Sequence, residues 1–134
     1  MTMPLRILLV DDEPLARLRL RALLQETADP PLQIVGEAGD AQQALDLLRV
    51  QPCELVLLDI RMPGRDGLQL ADALRRLPQP PSIVFVTAHG SHALNAFELD
   101  AVDYLTKPVR LARLQAALQR VVQRRGAAPS APAA

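Results

Sequence analysis

The chain has 134 residues, equal numbers of acidic and basic side chains (15 of each), three aromatic residues and one cysteine. This length fits one domain that buries about two-thirds of the surface of its unfolded chain. The balanced charge gives no basic footprint for nucleic acid, and a single cysteine excludes a disulfide framework. No stretch approaches the ~18 continuous apolar residues of a membrane span, and the N-terminus lacks a signal-peptide pattern. We therefore expect one cytoplasmic domain that does not contact a membrane.

The first predicted strand is the apolar run Leu5 to Val10, which ends in the acidic pair Asp11 and Asp12. An apolar run this short is typical of a strand that is buried in a sheet. Pro14 then fits the first turn of a helix, where its missing N–H costs nothing.

The stretch 15–21 alternates apolar and basic residues as a strand would. It contains no β-branched residue, however, and Leu15, Leu18 and Ala22 lie at i, i+3 and i+7. That spacing places the three residues on one face of a helix, so we predict a helix over 14–26.

The rest of the chain alternates strands and helices in the same way. Further strands are predicted at 33–38, 55–58, 82–87 and 102–105, and further helices at 41–50, 67–77, near 91–99 and from residue 111. Asp40 and Asp66 precede two of these helices and have the short side-chain oxygen that caps a helix N-terminus. Five alternations with long connections predict right-handed βαβ units and a parallel sheet covered on both faces. After Arg125 the composition is that of a linker.

Asp59 follows the apolar run 55–58, which is closed off by Pro63 and Gly64. Such a run predicts a strand buried on both faces, and ligands bind at the carboxyl edge of an open parallel sheet. An aspartate at a strand end can also serve only as a turn or cap residue. This stretch alone leaves both interpretations open.

Polar side chains follow the other strands at the same edge. The predicted set is Asp11, Asp12, Asp59, Thr87 and Lys107. Three carboxylates repel one another, and a divalent cation and an ammonium group would offset that repulsion. Oxygen ligands without His or Cys favour a hard ion such as Mg²⁺. Thr87 and Lys107 could bond phosphoryl oxygens, and Asp59 could act as the nucleophile that forms an acyl phosphate. Lys107 is the single lysine among 15 basic residues, and an arginine fork does not replace its compact charge.

Over about residues 5–124, the chain resembles the receiver domains of two-component response regulators. The resemblance is carried by Asp11-Asp12, the loop from Asp59 to Gly67, Thr87-Ala88, Tyr104 and Lys107-Pro108. It implies an α/β, flavodoxin-like, doubly wound fold with a five-stranded parallel sheet in the order 2-1-3-4-5 and five helices. It also implies a receiver domain at 1–124, followed by a flexible linker or tail at 125–134.

The resemblance further implies that Asp59 takes a phosphoryl group from the phosphohistidine of a partner histidine kinase, or from a small phosphodonor. The implied Mg²⁺ ligands are Asp12, Asp59 and the backbone carbonyl of Arg61, with Asp11 acting through water. Thr87 would then move toward the phosphoryl oxygens and Tyr104 would turn inward. This would reshape the surface of the fourth helix, fifth strand and fifth helix, called the output face below, through which such domains often form homodimers.

Two segments, 11–17 and 96–109, are similar to receivers attached to LytTR-type DNA-binding domains. The chain contains no such domain, so DNA would be a partner only through an absent effector. Either an effector domain has been removed from the chain or the chain works alone, and we favour removal.

Other interpretations compete with a phosphorylated receiver. An aspartyl-phosphate phosphatase is disfavoured because Arg61 stands two residues after Asp59, where that mechanism needs a general acid. A receiver-like interaction module regulated without phosphorylation stays open. His89 and His92 lie at i, i+3, but without a further ligand nearby a zinc site is disfavoured. By the resemblance, His89 and Arg61 occupy positions that tune the lifetime of the phosphate. A solvent-facing loop without such a role is the alternative for His89.

Overall fold

The computed structural model describes residues 3–62, 64, 66–88 and 99–127. The strands are β1 (Leu5–Val10), β2 (Leu32–Ala38), β3 (Leu55–Leu58), β4 (Ser82–Thr87) and β5 (Asp103–Thr106). The helices in the described residues are α1 (Pro14–Gln25), α2 (Ala41–Val50), α3 (Gly67–Arg75) and α4 (Leu111–Ala127). Residues 91–98 of the helix predicted near 91–99 lie outside the described residues, so the helix predicted as the fifth is α4 here. None of the described helices has both the length and the apolar character needed to cross a bilayer.

All five strands pair in parallel in one sheet, in the order β2-β1-β3-β4-β5. The predicted sheet and its strand order are confirmed. β3 lies at the centre, and all four of its residues are buried. A strand covered on both faces explains why its sequence is continuously apolar instead of alternating.

The sheet separates two apolar cores. On one face, Leu8 and Leu58 pack with residues of α2 and α3. On the other face, Leu9 and Leu57 pack with residues of α1 and α4. Successive side chains of a strand point to opposite faces, so β1 and β3 contribute to both cores. Helices on both faces of a parallel sheet make the fold doubly wound, as predicted.

The helix prediction for α1 is correct, but the face on which it rests is wrong. Leu15 and Leu18 are 78% and 61% exposed, whereas Leu20 and Leu24 are buried against the sheet. The leucines of α1 lie on two sides of the helix, so their spacing alone does not determine which side packs inward. Charged contacts between α1 and β2, described below, accompany the observed orientation.

Local signals at the helix ends were more reliable. The Asp40 side chain accepts a hydrogen bond from the Gln43 N–H, and Asp66 forms a reciprocal capping box with Gln69. Both predicted caps are therefore present. α4 continues to Ala127, through the domain boundary predicted at residue 124.

Gly67 lies where α3 begins and contacts the backbone that follows β3. Its N–H donates a 2.7 Å hydrogen bond to the Ile60 carbonyl. A Cβ atom at Gly67 would lie 2.1 Å from the Asp59 carbonyl oxygen and 2.7 Å from the Ile60 Cα. Only glycine allows α3 to approach this closely, and the contact fixes the backbone that carries Asp59.

We predict that Gly67→Ala lowers the free energy of unfolding by about 1–3 kcal/mol, because backbone atoms must separate to admit the methyl group. Urea unfolding followed by circular dichroism measures this change. Gly126→Ala is the matched control, because a Cβ there meets nothing within 4 Å. A Gly67→Ala variant as stable as the Gly126→Ala variant would show that the close approach does not constrain this loop.

Candidate functional site

The predicted polar residues meet at the carboxyl edge of the sheet. Asp11 and Asp59 directly follow β1 and β3, two paired strands at the middle of the sheet. One carboxylate oxygen from each of Asp11, Asp12 and Asp59 lies within 4.8 Å of the other two. Asp11 and Asp59 are buried, whereas Asp12 is exposed. The cluster is therefore an acidic pocket with one of its carboxylates open to solvent.

Hydrogen bonds fix both the backbone and the side chain of Asp11. Its N–H donates to the Ala38 carbonyl at 3.0 Å, which extends the pairing of β1 with β2. Its Oδ1 accepts a 2.9 Å hydrogen bond from the Glu13 N–H, and its Oδ2 accepts one of 2.7 Å from Lys107 Nζ. The side chain is therefore fixed by backbone at one oxygen and by an ammonium group at the other.

Asp59 is 6% exposed and lies beside a second carboxylate. Burial raises the pKa of the Asp59 carboxyl, and the charge of Asp11 raises it further. Attraction to Lys107 and hydrogen bonds from the Arg61 N–H and the Thr87 side chain lower this pKa without cancelling the increase. The pKa of Asp59 therefore lies above its ordinary value, chiefly because the carboxyl is buried and also because Asp11 lies beside it.

Lys107 joins the two buried carboxylates. Its Nζ lies 2.7 Å from Asp11 Oδ2, 3.5 Å from Asp59 Oδ2 and 3.6 Å from Glu13 Oε1. Burial by itself would lower the pKa of Lys107, but its carboxylate neighbours raise it above the ordinary value. The lysine is thus held as a cation between groups that repel one another.

Thr87 and Tyr104 lie on neighbouring strands. Thr87 is fully buried, and its carbonyl accepts a 2.8 Å hydrogen bond from the Lys107 N–H. Tyr104 pairs in register with Phe85, and the centroids of their rings are 6.3 Å apart. The end of β4 therefore links the pocket to the aromatic residue of β5. The Lys107-Pro108 bond is cis.

Of the other predicted site residues, Arg61 is among the described residues, whereas His89 and His92 are not. Arg61 follows Asp59 by two positions, and its N–H lies 3.4 Å from Asp59 Oδ1. The role of its carbonyl stays a prediction. His89 and His92 lie outside the described residues.

Sequence reasoning missed the residues that support the acidic pair. Arg17 Nη1 donates a 2.5 Å hydrogen bond to the Asp11 carbonyl, and Arg17 Nε donates one of 3.0 Å to Glu37 Oε1. Arg21 also binds Glu37, through its Oε2. Glu37, which both arginines contact, lies on β2, far from α1 in the sequence, so no local pattern in the sequence indicates the contact.

The donor set fits a magnesium ion. All three clustered ligands are carboxylates, and the described residues add neither histidine nor thiol ligands to this cluster. Mg²⁺ is bound in proteins by one or two carboxylates together with other oxygen atoms. Three carboxylates lie together here, and the ammonium of Lys107 contacts two of them. The residues present are therefore those that a hard divalent cation needs.

Comparison with known families agrees with this geometry. The model of the response regulator receiver domain matches residues 7–119 of the chain. The chain belongs to the response regulator receiver domain family. Receivers of this family generally bind Mg²⁺ in an acidic pocket, and the cluster of Asp11, Asp12 and Asp59 lies where such a pocket is expected.

Individual relatives point to one group of regulators. The receiver is 46% identical over 116 residues to the positive alginate biosynthesis regulatory protein of Pseudomonas aeruginosa, covering 87% of this chain and 46% of that protein. It is 43% identical over 116 residues to the sensory transduction protein LytT of Bacillus subtilis, covering 87% and 47%. The chain spans about half the length of the curated relatives it matches.

A solved structure also matches the whole receiver. The crystal structure of the response regulatory domain of protein mrkE from Klebsiella pneumoniae superposes with a TM-score of 0.81 at 34% sequence identity. The match covers 89% of this chain and 96% of that one. The resemblance noted in the sequence, to the receivers of response regulators and among them to those of LytTR-type regulators, is confirmed.

We predict that Asp59→Asn raises the free energy of unfolding in metal-free buffer at pH 7 by about 0.5–2 kcal/mol, a size common for stabilising changes. The pKa of Asp59 is higher in the folded chain than its ordinary value of 3.8, so its ionisation opposes folding. This penalty is complete above the folded-state pKa. It disappears as the pH falls through that pKa toward 3.8, so the gap between the variants should close on acidification.

Urea unfolding between pH 4 and 7 measures this difference. Asp72→Asn is the control, because Asp72 is an aspartate whose pKa is lowered by hydrogen bonding to Arg75. The control should show no gain in stability at pH 7. An Asp59→Asn variant less stable than the wild type at pH 7 would contradict the electrostatic account of the pocket.

Proposed function

We propose that this receiver is the phosphoacceptor module of a two-component response regulator, with Asp59 as the residue that is phosphorylated. The observation that carries the proposal is one juxtaposition at the carboxyl edge: a buried aspartate, an adjacent acidic pair, a buried hydroxyl and a single lysine. Membership of the receiver family supports the same assignment.

The proposed reaction is the transfer of a phosphoryl group to a carboxylate. An oxygen of Asp59 forms a bond to phosphorus while the bond from phosphorus to the imidazole nitrogen of a kinase phosphohistidine breaks. The electron pair of the broken bond stays on the imidazole, and Asp59 becomes an acyl phosphate. Asp59 must be ionised to react, so the carboxylate and not the acid is the acceptor.

Lys107 and Thr87 supply donors for the oxygens of the transferred group. The Lys107 ammonium already contacts Asp59 Oδ2, and an ammonium forms strong charge-assisted hydrogen bonds with phosphoryl oxygens. Thr87 already bonds Asp59 through its side chain, so its hydroxyl lies within reach of a group attached there. Lys107 is in place before the reaction, as electrostatic stabilisation of developing charge requires, and Thr87 has only a short distance to move.

Mg²⁺ is the cofactor in this proposal. Asp12, Asp59 and the Arg61 carbonyl would bind it directly, and Asp11 through water. Both Asp11 oxygens accept hydrogen bonds from the chain, whereas Asp12 is exposed, which supports this division of roles. When bound, the ion offsets the charge of the carboxylates and of the phosphoryl oxygens.

The proposed switch connects the pocket to the output face. Thr87 would shift toward the phosphoryl oxygens, and Tyr104 would turn inward. The pairing of β4 with β5 and the contact of Phe85 with Tyr104 support a mechanical link between the two residues. The phosphoryl group favours one of two conformations through contacts made in that conformation alone, which is a population shift. Homodimerisation through the output face belongs to the same proposal.

In this proposal the whole protein controls transcription in the cytoplasm. The names of the relatives, among them the transcriptional regulatory protein LytR of Staphylococcus aureus, support a LytTR-type DNA-binding output. The chain would then be a receiver at 1–124 followed by a linker that leads to that effector. Its partners would be a cognate histidine kinase and, through the effector, DNA. It would act as a signalling domain, with self-catalysed phosphotransfer and dephosphorylation as its chemistry, and not as an enzyme.

We predict that incubation with a small phosphodonor and Mg²⁺ adds one phosphoryl group per chain, because Asp59 is a buried carboxylate that both Thr87 and Lys107 contact. Intact mass spectrometry detects the adduct. Omission of Mg²⁺ should suppress it, and Asp59→Asn should abolish it.

Asp72→Asn is the matched control, since Asp72 lies on α3 and pairs with Arg75 on the surface. It should be phosphorylated as the wild type is. Absence of the adduct on folded wild-type protein would favour an interaction module regulated without phosphorylation. Turnover of the phosphodonor without an adduct on the protein would favour the phosphatase alternative.

We further predict that Lys107→Arg forms the adduct roughly 10- to 100-fold more slowly, because a misplacement of about 1 Å at a reacting centre costs up to about 10²-fold. Arginine keeps the charge, but its planar fork needs more room than the ammonium between Asp11 and Asp59. The switch should fail as well, seen as a smaller shift of the Tyr104 amide resonance on phosphorylation. Arg76→Lys makes the reverse exchange at an exposed ion pair and should change neither measurement.

A further inference from the structure

We propose that Arg17 is a positioning residue for the acidic pair: anchored on Glu37, it fixes the peptide that joins Asp11 to Asp12 and so prepares the pocket for a divalent cation. The inference deepens the proposed function and rests on it, since Mg²⁺ is the cation that this pocket would take. Arg17 does not touch the reacting groups and acts only through the backbone of Asp11.

Arg17 contacts the backbone carbonyl of Asp11. Arg17 Nη1 donates to that oxygen at 2.5 Å, and the Asp11 N–H donates to the Ala38 carbonyl. The peptide units on both sides of Asp11 are therefore fixed by hydrogen bonds. Because a peptide unit is planar, fixing the Asp11 carbonyl also fixes the direction in which the chain enters Asp12.

The guanidinium of Arg17 is also bound to Glu37. Arg17 Nε donates to Glu37 Oε1 at 3.0 Å, and Glu37 lies in β2, where it pairs in register with Leu9 of β1. Burial alone would raise the pKa of Glu37, but hydrogen bonds from Arg21 and Arg17 lower it below the ordinary value. Glu37 is therefore a charged partner attached to the strand next to β1, which gives Arg17 a rigid support.

The shape of the Arg17 side chain allows it to make both contacts at once. A guanidinium has donors on separate nitrogens in a planar fork, so one side chain can reach a carboxylate and a carbonyl together. The Arg17 side chain is 19% exposed, and solvent competes little for these bonds. Removal of a group that orients metal ligands without touching the metal generally lowers the metal affinity by about 10- to 100-fold.

Arg21 provides a matched control within the same cluster. It binds the same Glu37 carboxylate, through hydrogen bonds of 2.8 Å and 2.5 Å to Oε2, and it lies on the same helix one turn further on. Among the described residues, the hydrogen bonds of the Arg21 side chain go to Glu37 and not to the Asp11 carbonyl. Arg17→Gln and Arg21→Gln therefore remove the same charge and one arm of the same ion pair, but only the first removes the contact with Asp11.

The experiment measures Mg²⁺ affinity by isothermal titration calorimetry for the wild type, Arg17→Gln, Arg21→Gln and Arg17→Lys. We expect Arg17→Gln to bind Mg²⁺ about tenfold more weakly and Arg21→Gln to bind it within about twofold of the wild type. Arg17→Lys should not restore affinity, because one ammonium does not replace the fork. Equal affinities for the two glutamine variants, or full rescue by Arg17→Lys, would overturn the proposal.

A second readout uses the metal-free protein and separates this inference from the proposed function. The backbone ¹³C′ resonance of Asp11 and the amide resonance of Asp12 should move in Arg17→Gln and stay in place in Arg21→Gln. Equal movement in both variants would reduce Arg17 to a support for α1 and overturn the proposal. If the wild type binds no Mg²⁺, the cation site fails and the inference fails with it. Normal Mg²⁺ binding with equal variants defeats the inference alone.

Discussion

The excess of negative charge at the carboxyl edge is the constraint on which the rest of this receiver depends. Three carboxylates lie within 4.8 Å of one another, two of them are buried, and Lys107 is the ammonium that joins those two. Like charges at low effective dielectric oppose folding unless opposite charges offset them. Burial and the neighbouring charge of Asp11 raise the pKa of Asp59 despite the attraction of Lys107. The site therefore favours the uptake of positive charge, which the proposed divalent cation would supply.

The fold supplies the rigidity that keeps such a cluster together. β1 and β3 lie side by side at the middle of the sheet, with an apolar core on each face. The residues that follow these strands, Asp11 and Asp59, are therefore attached to backbone that is packed on both faces. Gly67 brings the start of α3 against the backbone after Asp59. Repulsion within the pocket thus acts on groups attached to well-packed elements. Functional sites commonly give up stability for chemistry in this way.

The strands, the caps and the convergence of polar residues could be predicted because each depends on a short stretch of sequence and on the direction of parallel strands. A buried run such as Leu55–Leu58 and a cap such as Asp66 are local signals. The packed face of α1 could not be predicted in the same way. Its leucines occupy two sides, and Leu20 and Leu24 lie inward while Leu15 and Leu18 face solvent. The contact of Arg17 with Glu37, 20 positions away, is equally invisible to a periodic pattern.

The two members of the acidic pair, Asp11 and Asp12, differ in their surroundings. Asp11 is buried, its side-chain oxygens accept from Glu13 and Lys107, and its backbone is bonded on both sides. Asp12 is the next residue and is exposed. Two adjacent aspartates that look equivalent in the sequence are therefore unlike in the fold: the first is a fixed part of the pocket wall, and the second is the carboxylate that solvent reaches. The direction in which the chain enters Asp12 is set through one peptide unit by its fixed neighbour, so the rigidity of Asp11 helps to orient the exposed carboxylate.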